Sequence, residues 1–351
     1  MRLCFLIVFL FSKISLGAPT ITGDLRYRHE IESLEGTEDR TRHRMRLRVG
    51  IDTTINEKTN VGLRMATAER LSNGSVATAS TNETLDNAGS KKEIHVDMAY
   101  IQHAITPQLT ATLGKMENAL FIPGKSDLIW DADWTPEGIG FNYSQKPADL
   151  YWFLRGVGYW LDERATETDS GLLGLQIGSV AKISNQEIIF GIGRLQATSL
   201  KDHPFLVNAA DAKGNSANGT NYAYNYEMNE LFIELPTLIG SHSTIFYFNY
   251  VTNESAEDGG YLLGVLIGKL KNTGDFLVNY NYRRVEKDAV IGALTDGDFI
   301  GGGTNGKGHK LSVSYLAATN TTLSLSHFLN LRDLDVETDY QRTQLDFNFK
   351  F

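Results

Sequence analysis

The sequence predicts an all-β fold, a transmembrane antiparallel β-barrel of about sixteen strands with short periplasmic turns at one end and long extracellular loops at the other. Three observations carry that prediction. Apolar and polar residues alternate with a period of two over long stretches. Connections alternate between short and long. An apolar leader is followed by no segment long enough to cross a membrane as a helix.

Residues 1–17 read as a secretory signal peptide, with Arg2 as the basic start, Leu3 to Phe11 as the apolar run, and the small residues Ser15 and Gly17 before a cut ahead of Ala18. The run is roughly half the ~20 residues that a spanning helix needs, which argues against an anchor. Cys4 is the only cysteine of the 351 residues and leaves with the leader, so the remaining chain, 18–351, has no disulfide and no cysteine-held metal. That remainder is read as one barrel domain. Tyr261 to Ile267, the longest later apolar run, is only strand-sized. A formal charge of −9, with no basic cluster free of interleaved apolar residues, argues against a nucleic-acid partner.

The most informative strand is Arg40-Thr41-Arg42-His43-Arg44-Met45-Arg46-Leu47-Arg48-Val49-Gly50-Ile51. Side chains alternate across a strand, so Arg40, Arg42, Arg44, Arg46 and Arg48 share one face while Met45, Leu47, Val49 and Ile51 share the other. Arg26 and Arg28 stand in the same pattern in Asp24 to Ile31, and the chain ends on Gln344-Leu345-Asp346-Phe347-Asn348-Phe349-Lys350-Phe351. A terminal aromatic such as Phe351 resembles the signal that outer-membrane barrels present to the barrel assembly machinery. Short links are expected near Asn56–Thr59, Thr106–Gln108, Lys146–Asp149, Lys182–Gln186, Pro236–Gly240, Lys271–Gly274 and Ala318–Asn320. Long polar ones are expected at Ser72–Ser90, Glu117–Glu137, Lys201–Thr220 and Lys287–Lys307. A soluble sandwich is the alternative, but it fits the short–long alternation poorly.

Energetics then decide which face is which. In hydrocarbon every backbone amide must be paired, so the sheet closes on itself. An arginine facing lipid at mid-bilayer costs ~2–4 kcal/mol, and five on one strand would be prohibitive. These arginines therefore point inward, and a lumen holding so much charge must contain water. A barrel of about sixteen strands is also too wide for side chains to fill.

The stretch from Arg64 to Tyr143 resembles the family of putative porins, bacterial outer-membrane channels similar in architecture to the general porins. The residues that carry the resemblance are Leu63-Arg64-Met65-Ala66-Thr67-Ala68, Thr81-Asn82-Glu83-Thr84-Leu85, Ala99-Tyr100-Ile101, Gly114-Lys115-Met116-Glu117-Asn118 and Trp130-Asp131-Ala132-Asp133-Trp134-Thr135-Pro136-Glu137-Gly138. The resemblance implies passive diffusion of small hydrophilic solutes or ions across the bacterial outer membrane, with no assigned substrate. Alternatives are a substrate-selective, anion-preferring channel and a structural or adhesive surface barrel. The resemblance also implies outer-membrane lipid and lipopolysaccharide as surroundings and a homotrimer as the assembly.

Candidate pore-lining residues are Arg26, Arg28, the five arginines at 40–48, Arg64 and Lys115, whose aligned cations would focus a positive potential. Pairing with carboxylates such as Asp24 and Glu30 would instead knit the wall. By resemblance, segment 117–137 is a candidate constriction loop carrying Glu117, Asp127, Asp131, Asp133 and Glu137. Its alternative is an ordinary external loop whose Trp130 and Trp134 sit in the interfacial aromatic belt. Tyr100, Trp152, Tyr159, Trp160, Tyr247 and Tyr280 suit aromatic girdles. No metal or other cofactor is expected, since Asp131 and Asp133 lack the dense ligand spacing of a calcium loop. Nor is an enzyme expected: His242 and His327 have serines only at adjacent positions, which face the other side of a strand. The glycine-rich run Gly301 to Gly308 reads as a flexible external loop.

Overall fold

The computed structural model describes residues 17–145, 151–183 and 186–351. The expected leader lies outside them save for Gly17, as does the link at 146–149. Sixteen long strands are present among the described residues. The first eight are β1 Thr20–Leu34, β2 Arg40–Asn56, β3 Thr59–Thr67, β4 Ile94–Ala104, β5 Leu109–Lys115, β6 Glu137–Gln145, β7 Tyr151–Asp162 and β8 Ser170–Ile183. They continue as β9 Gln186–Thr198, β10 Tyr226–Ile239, β11 His242–Asn253 and β12 Asp258–Gly268. The last four are β13 Phe276–Val285, β14 Gly306–Ala318, β15 Thr321–Arg332 and β16 Thr338–Lys350.

Each strand pairs antiparallel with its sequence neighbours, and β1 pairs with both β2 and β16, so the ring closes without a free edge. Pro236, expected in a turn, lies inside β10; the chain reverses only at 240–241. β3 is short, and the stretch Glu83–Thr84 continues the wall above it by pairing with Arg44 and Met45 of β2. On β4 a bulge at Asp97 shifts the register opposite Arg64 and Met65 and turns the carboxylate inward.

Period-two alternation sets the two faces. Gln176 and Leu195 are fully buried toward the interior, while their neighbours Ile177 and Ile192 are 49% and 58% exposed on the outside. An arginine at Ile177 would sit amid Leu154 and Ile192 on the lipid face. Ile177→Arg is therefore expected to cost ~2–4 kcal/mol of barrel stability, whereas Ser326→Arg, facing inward, should be tolerated. Urea-unfolding midpoints of the two variants in lipid vesicles check this; equal midpoints would contradict the inside–outside assignment.

The main apolar core lies inside the ring. Leu120, Leu128, Ile129, Trp130 and Trp134 from segment 116–136 meet Leu200, Phe205 and Leu206 from segment 199–225 and Val290, Ile291, Leu294, Phe299 and Ile300 from segment 286–305. Inward side chains of β7–β13, such as Val157, Leu172, Met228 and Val251, complete it. The three segments are also tied by hydrogen bonds. Asn215 donates to the carbonyls of Lys287 and Val290 at 2.7 and 2.9 Å and accepts from Gly292 N–H at 2.8 Å. Asp131 N–H donates to Leu294 O at 2.8 Å.

One alternative and two expectations are corrected here. Trp130 and Trp134 are 3% and 8% exposed inside the barrel, not at a lipid interface, because each finds an apolar partner there. Tyr100, Tyr159 and Tyr247 also point inward, where their hydroxyls bond Asp52, Ala119 N–H and Asn279, leaving Trp152, Trp160 and Tyr280 on the outside. Finally, the glycine-rich run around 301–305 belongs to a segment folded into the interior, with Phe299 and Ile300 buried.

Candidate functional site

On β1 and β2 the register places Arg26 opposite Arg46, Arg28 opposite Arg44, and Asp24 opposite Arg48. β16 adds Asp346 beside Arg28 and Arg342 beside Glu32. All these side chains share the inner face, giving a patch of guanidiniums and carboxylates on one side of the barrel. Arg28 donates to Asp346 at 2.7 and 2.8 Å and approaches Asp298 at 3.4 Å. Arg46 and Arg48 both hold Asp24 and lie 3.7 and 3.4 Å from Asp133. Arg42 pairs with Glu30 and Glu32, and Arg44 with Glu69 at 2.9 Å. Arg40 stands exposed at the strand end.

Segment 116–136 crosses the interior. Phe121 N–H donates to Gln176 on β8 at 2.7 Å, and Gly124 N–H donates to Glu234 on β10. Gly124 has φ 58° and lies against the Tyr247 ring, where a Cβ would come within 2.3 Å, so only glycine fits. Beyond it Asp127, Asp131 and Asp133 face the arginine wall; Asp127 pairs with Lys310 at 3.3 Å and accepts Arg283 Nη1 on its carbonyl at 2.7 Å. Segment 286–305 adds Asp296, bonded to Arg283 at 2.6 Å, and Asp298, bonded to Arg342 at 2.6 Å. Arg64 and Lys115 stand apart from this cluster. Arg64 bonds Asp97 and lies 3.8 Å from the exposed Glu117, while Lys115 bonds Thr135 O at 2.9 Å and lies 3.3 Å from Glu137. Glu137 opens β6 and is no part of the crossing segment.

Arg283, Lys310, Arg342, Asp296 and Asp298 were not anticipated from sequence. The three cations lie in strands at inward parity, a signal that was available. The two acids lie in a segment whose course nothing local determines.

A cavity of about 450 Å³ separates the arginine wall from the aspartates. It shares Ala79, Lys213, Gly297 and Gly301 with a second, about 350 Å³, lined by 71–80 and 292–303. A third, about 600 Å³, lies among β2–β7 and is lined by Arg64, Tyr100, Glu117 and Arg155.

The sequence matches the family described as "putative porin" over residues 11–190 and 219–351. The chain belongs to this porin family. Among curated proteins none matches. Among solved structures, the high-pH form of Pseudomonas putida OprB is similar over 95% of this chain and 94% of that one, at 10% identity and a TM-score of 0.64. A triple mutant of the Rh. blastica porin gives 0.52 at 10% identity, covering 95% of this chain and all of that one. A loop-deletion mutant of Vibrio cholerae OmpT gives 0.50 at 12% identity with the same coverage. Family and fold together make this porin an outer-membrane channel, and its fold is that of a channel rather than an enzyme.

Within the porin the loop carboxyls differ from one another. Burial raises Asp133, but Arg46, Arg26 and Arg48 outweigh it and hold the group below its ordinary value. Asp298 is held far down in the same way by Arg28 and Arg342. Asp131 has no such help: burial, then Asp296, Asp133 and Asp127, raise it well above the usual carboxylate range. Lowering the pH therefore protonates Asp131 before Asp133 and Asp298 and removes one negative charge facing the arginines. The reversal potential in a KCl gradient is expected to move toward anions in mild acid, and Asp131→Asn should abolish that movement. A wild-type potential that stays flat until the ordinary carboxylate range would contradict it.

Proposed function

We propose that small hydrophilic solutes and ions diffuse passively through this porin along an off-axis, water-filled path between the arginine wall of β1, β2 and β16 and the aspartates of segments 116–136 and 286–305. The observation that supports it most is the polar cavity between them, because charged side chains on both walls require water there. The apolar packing lies toward β7–β13, away from the arginine wall. Segment 117–137 serves as the constriction, and Arg26, Arg28, Arg40 to Arg48, Asp127, Asp131 and Asp133 line it. Arg64 and Glu117 line a side recess, while Lys115 and Glu137 form an ion pair of their own. Charges of opposite sign facing each other create a transverse field, so selectivity follows the few uncompensated charges and not the net −9.

Residues 1–17 direct export, Phe351 presents the assembly signal to the barrel assembly machinery, and the barrel sits as a homotrimer among outer-membrane lipid and lipopolysaccharide. Planar-bilayer recording of purified protein tests the reading. Stepwise conductance that grows with salt supports it. A folded protein that never conducts would instead favour a structural barrel with a filled lumen.

A further inference from the structure

Of the buried charges lining the 450 Å³ cavity, two are the least compensated among the described residues; Arg40, which also lacks a partner there, stands exposed at its rim. Arg26 makes one hydrogen bond, to Asn82. Its nearest carboxylate, Asp346, is 3.9 Å from Nη1 and already gripped by Arg28, and its buried Nε finds no acceptor among the described residues. Across the cavity, Asp131 accepts the backbone N–H groups of Asp133 and Gly297 at 2.7 and 2.9 Å, and none of the described residues gives it an ion pair. Its neighbours are all matched: Asp127 to Lys310, Asp133 to Arg46 and Arg48, Asp296 to Arg283, Asp298 to Arg28 and Arg342.

We propose that this cavity is a resting site for zwitterionic solutes of amino-acid size, with the solute carboxylate on Arg26 and its ammonium on Asp131. The proposal rests on the channel reading and narrows it to a substrate class. A buried charge without a partner is costly, and a solute carrying both charges relieves both residues at once. A simple anion or cation relieves only one, and to gain a second contact it must break an existing pair. The raised Asp131 carboxyl fits the same picture, since an ammonium beside it restores the ionised form. Arg26 adds geometric selection, because its planar guanidinium offers a carboxylate parallel N–H donors.

The test is uptake of labelled serine at low concentration into proteoliposomes containing the full barrel, competed by unlabelled alanine, propionate, propylamine or glycerol. Saturable uptake is expected, with alanine competing about tenfold better than propionate or propylamine, the worth of one charge-assisted contact, and glycerol without effect. Arg26→Gln and Asp131→Asn should each abolish saturation while stepwise KCl conductance shows that the barrel has assembled. Propionate competing as well as alanine, unchanged by Asp131→Asn, would replace the zwitterion site with a plain anion site. Non-saturable serine uptake through a conducting wild-type protein would overturn the site and leave the channel standing. Absence of conductance would overturn the channel reading itself.

Discussion

Trp130→Ala is expected to raise the single-channel KCl conductance and to make the open level noisy while leaving the barrel folded. Trp130 is buried, stacked on Trp134 with ring centroids 5.0 Å apart and planes 13° from parallel, and Trp134 meets Tyr159 edge-on at 5.6 Å. Truncating a buried tryptophan costs ~3–5 kcal/mol, through lost burial and the cavity left behind. That cost falls on segment 116–136, because Trp130 belongs to no wall strand. What remains to hold the segment is the burial of Leu120, Leu128 and Ile129, the pairs of Asp127 with Lys310 and of Asp133 with Arg46 and Arg48, and hydrogen bonds to Glu234, Gln176 and Leu294. These keep the segment in the lumen, but the space left at residue 130 loosens its packing locally, which widens the path and lets it fluctuate. Wild-type conductance and noise in this variant would mean that the segment does not narrow the path.

Arg28→Ala should strike the wall itself. Its guanidinium is shared by Asp346, Asp298 and Glu30, all within 3.8 Å, and its removal leaves buried carboxylates short of a partner. Breaking such a group costs ~3–5 kcal/mol, mostly as the penalty of the stranded charges. The temperature at which the folded barrel converts to the slower-migrating unfolded form on a detergent gel is expected to drop, and the reversal potential to shift toward cations. The pH dependence has a definite sign. Asp298 has a folded value depressed below its unfolded one, so its stabilisation is present above the ordinary carboxylate range and lost as pH falls through the depressed value. With Arg28 gone the depression shrinks, so the acid-dependent loss of stability from Asp298 should be smaller and complete at a higher pH than in the wild type. An unchanged melting temperature would show that Arg342 alone suffices.

The wall was legible in the sequence because its information is local. Arg40 to Arg48 alternate with residues that become steadily apolar, and a period of two can place them on only one face of a strand. The same rule would have found Arg283, Lys310 and Arg342, each flanked on both sides by residues that face outward. The interior loops were not legible. Trp130 and Trp134 look alike in a lipid belt and in a buried core; what separates them is contact with Leu200, Leu294 and Phe299, far away in sequence. Gly301 to Gly303 adopt positive φ values that read as flexibility but serve a tight inward course, with a Cβ at Gly303 falling 2.2 Å from Lys213 O. That Arg26 and Asp131 are left poorly compensated was illegible for the same reason, since it depends on which charges two separate segments bring to the wall.

Tying segments 116–136, 199–225 and 286–305 to one another also limits what the cell presents to its surroundings. Phage and antibodies can grip, and mutation can more freely reshape, the hairpin tips that send no side chain into that apolar packing, such as 35–39, 163–169, 254–257 and 333–337. A peptide tag spliced into 333–337 should be displayed on living cells, whereas the same tag at 291–300 would have to displace packed side chains and should prevent surface display.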